Sequence, residues 1–165
     1  MVRHRPGNGH EEGVMNQINP YPVWIGHGGE AHDFRHLFDV GIEAVVELAL
    51  EEPSFPPRRD MIACRFPLID GVGNPPHVLA LAVRTVAALI TAKVPVLVCC
   101  AAGMSRAPAV VAAALAAIHF EPPEECLKRV AAHHPSDVSP GLWSDITQLA
   151  ARTRTPEMTS KGGDC

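Results

Sequence analysis

The chain has 165 residues, 47% of them hydrophobic and 19% charged, with a formal net charge of −4 at pH 7. That size and balance suit one domain with a single substantial core and exclude an intrinsically disordered chain. The negative charge argues against nucleic acid or an anionic membrane surface as the main partner. No uninterrupted apolar run reaches the roughly 18–20 residues of a membrane-spanning helix.

Residues 1–17 are polar and rich in glycine and histidine, with no apolar signal-peptide core, and read as a flexible arm. Cytoplasmic residence is therefore the expectation. Tyr21 to Ile25 predicts a first strand, closed by the turn Gly26–Gly29. Ala31 to Val40 predicts a short helix with Phe34, Leu37 and Phe38 on one face. Ile42 to Leu48 reads as a strand, Glu51 to Asp60 as a proline-rich loop, and Met61 to Phe66 as another strand.

A Gly- and Pro-rich loop, Leu68 to Pro76, leads to an amphipathic helix over Pro75 to Lys93. Its apolar stripe is Leu79, Ala82, Val83, Val86, Leu89 and Ile90. The buried run Val94 to Cys99 is a strand, and a helix starts at Arg106 with Pro108 in its first turn. Two further helices, Glu124 to His133 and Pro140 to Arg152, close the domain, the second with Ser139 as its N-cap. Residues 18–152 form the domain, and residues 153–165 read as a flexible tail. Alternating strands and helices predict an α/β fold, a central, mostly parallel sheet of about four to five strands with helices on both faces.

Chemistry concentrates in Cys100-Ala101-Ala102-Gly103-Met104-Ser105-Arg106. A strand delivers a thiol into a tight loop, and a helix begins where the loop ends. The backbone N–H groups of residues 101–106 can converge on an anion, and the helix N-terminus adds positive potential. Such a setting, with Arg106, activates Cys100 as a nucleophile. Gly103 permits the loop backbone its turn, and the planar Arg106 fork suits a phosphoryl group. The Ser105 hydroxyl is placed to hydrogen-bond the Cys100 sulfur or to cap the following helix.

Cys100-x-x-Gly-x-Ser-Arg106 resembles the signature of the cysteine-dependent protein tyrosine phosphatases, and the short chain resembles their dual-specificity branch. The likeness extends to Trp24-Ile-Gly, to Gly41-Ile-x-Ala-Val-Val-Glu-Leu and to Val138-Ser-Pro-Gly-Leu-Trp143, so it covers most of residues 20–150. It implies a three-layer phosphatase fold and hydrolysis of phosphate monoesters, without metal or other cofactor, through a cysteinyl-phosphate. The substrate would be a phosphorylated protein or a small phosphomonoester. The resemblance also implies an aspartate acid on a mobile loop about 30 residues before the cysteine. Asp70 occupies that place, and Asp60 is the second candidate. Two other readings stand beside this one: a catalytically weak phosphate-binding module, and a rhodanese-like sulfurtransferase.

One position departs from the family pattern. Cys99 stands where a histidine usually precedes the nucleophile, and a thiol is a weaker donor. The five cysteines (64, 99, 100, 126 and 165) lack a disulfide or zinc spacing. Cys64 and Cys99 are the candidate redox partners of Cys100, though core packing is the expectation for both. His27, His32 and His36 read as surface histidines, and His133-His134 as a helix C-terminus. Glu51-Glu52 and Arg58-Arg59 read as solvated loop charges, the arginines being a candidate hold on an acidic substrate.

Overall fold

A computed structural model describes residues 14–154, apart from residues 55 and 57. The strands are β1 (Asn16–Gln17), β2 (Val23–His27), β3 (Ala44–Ala49), β4 (Ile62–Leu68) and β5 (Val96–Cys100). They form one sheet in the order β1-β2-β5-β3-β4, with β1 antiparallel to β2 and the other neighbours parallel. The helices are α1 (Phe34–Val40), α2 (Pro76–Thr91), α3 (Arg106–His119), α4 (Pro123–Ala131) and α5 (Pro140–Arg154). A 3-10 turn (Glu30–His32) precedes α1. This is the α/β sheet that the element order predicts, in the three-layer form that the family resemblance implies.

Two cores flank the sheet. On one side, residues of α2, α3, α4 and α5 pack with Ile25, Val46, Val98 and Cys100. On the other, Ala31 and Leu37 pack with Val45, Leu97 and Cys99. Successive residues of a strand face opposite sides, so the neighbours Cys99 and Cys100 belong to different cores. The α2 stripe is buried as expected at Leu79, Ala82, Val83, Val86 and Ile90. On α3, the alanines and valines are small enough for the helix to be buried continuously from Arg106 to Ala116, which fixes the direction of its first residue.

Three local expectations change. The helix read over Ala31 to Val40 is split at Asp33, whose side chain accepts the His36 N–H at 3.1 Å and caps α1. Phe38 then lies 77% exposed rather than on the buried face. The arm read over residues 1–17 ends within the sheet: Asn16 and Gln17 pair with Ile25 and Trp24, and Met15 is buried. Residues 1–13, and the tail beyond Arg154, lie outside the described residues. Ser139 makes no side-chain cap on α5; its hydroxyl has no partner, while its N–H is used at the site. Among the described residues, no helix is long and apolar enough to cross a membrane.

Candidate active site

The central strand β5 ends on Cys100, which is 3% exposed, at the sheet's C-terminal edge. Ligand sites of open α/β sheets gather at that edge. The loop that follows is held from outside through its carbonyls. Gly28 N–H donates to the Ala101 carbonyl at 3.3 Å, and Asp137 N–H to the Met104 carbonyl at 2.8 Å. His134 Nε2 lies 2.8 Å from the Gly103 carbonyl. In a trans peptide the N–H points opposite to the preceding C=O. The braces therefore turn the Ala102 and Ser105 N–H groups away from Gly28 and Asp137.

Gly103 makes this shape possible. Its φ is +75°, and a Cβ there would sit 2.7 Å from the Gly26 carbonyl oxygen. Any side chain would thus meet both a left-handed backbone and the β2 main chain.

Arg106 opens α3 and is 3% exposed. Its Nη1 donates to Glu51 Oε2 at 2.6 Å and to the Leu68 carbonyl at 2.9 Å, and its Nη2 donates to Glu51 Oε1. The end of the guanidinium is thereby occupied, and the Nε–H is buried with no partner. Guanidinium carries five N–H donors in a fixed fork. The edge formed by Nε–H and the remaining Nη2–H is left to take an oxyanion. The ion pair holds the Glu51 carboxyl at about 2, well below its ordinary 4.5, chiefly through the hydrogen bond to Arg106. The same bond raises the Arg106 pKa.

Glu51 is the residue that the sequence reading missed by treating it as a solvated charge. It follows β3, which pairs with β5, so both Glu51 and the Cys100 loop leave the sheet at one edge. Arg65 on β4 holds its loop: Nη2 donates to the carbonyls of Ala49, Leu50 and Glu52 at 3.2, 3.3 and 2.8 Å.

Asp70 and Ser105, 35 residues apart, meet: the Ser105 hydroxyl donates to Asp70 Oδ1 at 2.5 Å. Ser105 Oγ in turn accepts the Ser139 N–H at 3.0 Å. The hydroxyl proton is thus directed to Asp70, not to the Cys100 sulfur, and it caps nothing on α3. In this structure Ser105 joins the loop end to Asp70 and to the Ser139 N–H, and neither of the contacts read for it from sequence is formed. The Asp70 loop has a buried fastener in Asn74. Its Oδ1 accepts the Ile69 N–H at 2.7 Å, and its Nδ2 donates to the Ile69 and Gly71 carbonyls at 3.1 and 3.0 Å.

Other candidates fall away from the site. Asp60 pairs with Arg58 at 3.6 Å, and Arg58 lies over the Phe34 ring. Both precede β4, at the edge opposite Cys100, so neither the second acid candidate nor the arginine pair reaches the loop. His134 is buried rather than a solvated helix end. His32 Nδ1 lies 3.0 Å from the Gly28 carbonyl. Cys64 pairs with Val46, and Val46 with Val98. Two strand spacings separate Cys64 from β5 by about 10 Å, beyond the roughly 7 Å reach of a disulfide. Burial, with Glu47 second, pushes the Cys99 thiol far up, so it stays protonated.

A buried cysteine on an amide-lined loop, closed by an arginine and faced by an aspartate, on a mostly parallel sheet, defines a cysteine-dependent phosphatase. The family model described as "polymorphic toxin system, DSP-PTPase phosphatase" matches residues 25–118. The chain belongs to that family. The matched span contains Glu51, Asp70 and the whole Cys100–Arg106 loop. A search of curated proteins finds no significant match.

Solved structures share the fold at low sequence identity. A mouse putative dual specificity phosphatase complexed with zinc tungstate matches with a TM-score of 0.75 at 19% identity, covering 92% of this chain and 94% of its own. Human DUSP28 matches at 0.73 and 21%, covering 85% and 99%. The human tyrosine phosphatase-like serine/threonine/tyrosine-interacting protein matches at 0.72 and 18%, covering 86% and 98%. The family match decides for phosphatase over sulfurtransferase.

Proposed function

We propose that the chain hydrolyses phosphate monoesters in two displacements at Cys100. The thiolate attacks phosphorus and the bond to the leaving oxygen breaks, giving a cysteinyl-phosphate. The free edge of Arg106 and the amides of residues 101–106 bind the non-bridging oxygens, supplying positioning and electrostatic stabilisation. Asp70 protonates the leaving oxygen through Oδ2, since Oδ1 accepts from Ser105. It then takes a proton from the water that attacks the cysteinyl-phosphate, and the thiolate departs with inorganic phosphate released.

The observation that carries this reading is the 2.5 Å bond between Ser105 and Asp70. It ties Asp70, the aspartate at the spacing the resemblance implies, to the last loop residue before Arg106, which supports it as the acid. The substrate class is a phosphorylated protein side chain or a small phosphomonoester. Ala101, Ala102 and Met104 bring no cation to the loop, and Arg106 already shares its charge with Glu51. A multiply phosphorylated ligand therefore finds no additional cation there. A reducing, cytoplasmic setting belongs to the proposal, because Cys64, Cys99, Cys100 and Cys126 are all free thiols.

Turnover of p-nitrophenyl phosphate across pH 5–8, with vanadate as the competing oxyanion, tests the reading. Hydrolysis by the wild type, and none by Cys100→Ser with vanadate binding retained, is the expected result. Vanadate binding without wild-type turnover would instead mark a phosphate-binding module.

A further inference from the structure

The Gly103 carbonyl is braced by a side chain, whereas those of Ala101 and Met104 are braced by backbone N–H groups. His134 follows α4 and is 7% exposed. Its Nε2 lies 2.8 Å from the Gly103 oxygen, and its Nδ1 lies 3.0 Å from Asn16 Nδ2 on β1. A carbonyl oxygen only accepts, so Nε2 must carry the proton. Nδ1 then accepts from the Asn16 amide, and this network assigns the tautomer. Because the Gly103–Met104 peptide is planar and trans, a carbonyl tied outward to His134 directs the Met104 N–H inward.

We propose that His134 is a positioning residue of the oxyanion site, orienting the Met104 N–H toward the phosphoryl oxygens. The proposal rests on the phosphatase reading above. Cys99 cannot serve this end, because its side chain lies in the core on the far side of the sheet. Burial lowers the His134 pKa against the opposing effects of the Gly103 carbonyl and of Glu30, the charged group that acts on it. The ring is therefore neutral near pH 7, as the Nε2–H, Nδ1-acceptor arrangement needs. Asn16 is the structural link by which the edge strand β1 reaches the loop.

The test compares wild type, His134→Phe and His134→Gln by p-nitrophenyl phosphate kinetics, vanadate affinity and thermal melting. Phenylalanine fills the space without a donor, and the glutamine amide can restore one. His134→Phe should lower kcat/KM and weaken vanadate binding by about tenfold or more, less than the roughly hundredfold or greater cost of removing an oxyanion donor outright, because the Met104 N–H remains but is no longer held. His134→Gln should recover most of both. A folded His134→Phe variant with wild-type kcat/KM and vanadate affinity overturns the proposal, as does a glutamine variant no better than phenylalanine.

If the phenylalanine variant does not fold, ¹⁵N imidazole spectra of the wild type decide. The Nε2–H tautomer, with a Met104 amide that shifts on vanadate binding, supports the role; an Nδ1–H tautomer refutes it. A wild type that neither turns over nor binds vanadate sinks the phosphatase reading itself. An active wild type with an equally active His134→Phe sinks only the role of His134.

Discussion

Replacing Glu51 by glutamine keeps the shape of the side chain but removes the charge that faces the Arg106 guanidinium. The loss can be sized from the site. The Glu51 carboxyl falls from 4.5 to about 2 on pairing with Arg106, which at full strength corresponds to about 3 kcal/mol. The Glu51 side chain is 54% exposed, however, while that of Arg106 is 4% exposed. Solvent screening on the open side reduces the stabilisation to about 1–2 kcal/mol.

The sign follows from the direction of the shift. A carboxyl depressed in the folded state stabilises fully above its ordinary value and loses that contribution as pH falls toward about 2. Urea melts of wild type and Glu51→Gln should therefore differ by about 1–2 kcal/mol at pH 7. The gap should close as pH drops below 4.5. The variant should also lose kcat/KM for p-nitrophenyl phosphate, because Arg106 is no longer held end-on with its Nε edge free. An equal stability gap at pH 7 and at pH 3, or none at either, would refute this account of the pair.

Four more outcomes can be checked directly. Gly103→Ala forces a side chain onto a backbone at φ +75° and against the Gly26 carbonyl; it should cost about 2–3 kcal/mol in melts and abolish vanadate binding. Asp70→Asn should slow phenyl phosphate hydrolysis by about a hundredfold, and p-nitrophenyl phosphate far less, since only the poorer leaving group needs the acid. Asn74→Ala strips three hydrogen bonds from the Asp70 loop; the buried groups left unpaired should cost about 1–3 kcal/mol in a melt, with kcat falling alongside. Iodoacetamide at pH 7 should modify Cys100 and spare Cys99, read by peptide mass spectrometry, because the Cys99 thiol is buried and held protonated.

The fold and the place of Cys100 at the end of a central strand were legible because their signals are local. Strand, loop and helix around Cys100 follow from consecutive apolar residues, a glycine and a proline in the first helical turn. Asp70 was singled out only through resemblance, and its contact with Ser105, whose hydroxyl the sequence pointed toward the thiol, was not foreseen. Glu51, Arg65 and His134 were not legible, because each acts on a group far away in sequence. Glu51 lies 55 residues from Arg106, and His134 lies 31 from Gly103. A charged pair in a proline-rich loop and a histidine pair after a helix look the same whether solvated or buried. For Glu51 one signal existed. The parallel strands β3 and β5 end at the same edge, so residues just beyond β3 fall beside the cysteine loop. Asn74 had a weaker signal, a single amide in a Gly/Pro-rich loop whose carbonyls needed partners.

The central claim is that catalysis passes through a phosphoryl group on Cys100. Rapid acid quench during turnover of p-nitrophenyl phosphate, followed by peptide mass spectrometry, tests it most directly. The account predicts a phosphoryl adduct on the Cys100 peptide that forms within the first turnover and is missing in Cys100→Ser. Sustained hydrolysis by Cys100→Ser, or an adduct on another residue, would contradict it.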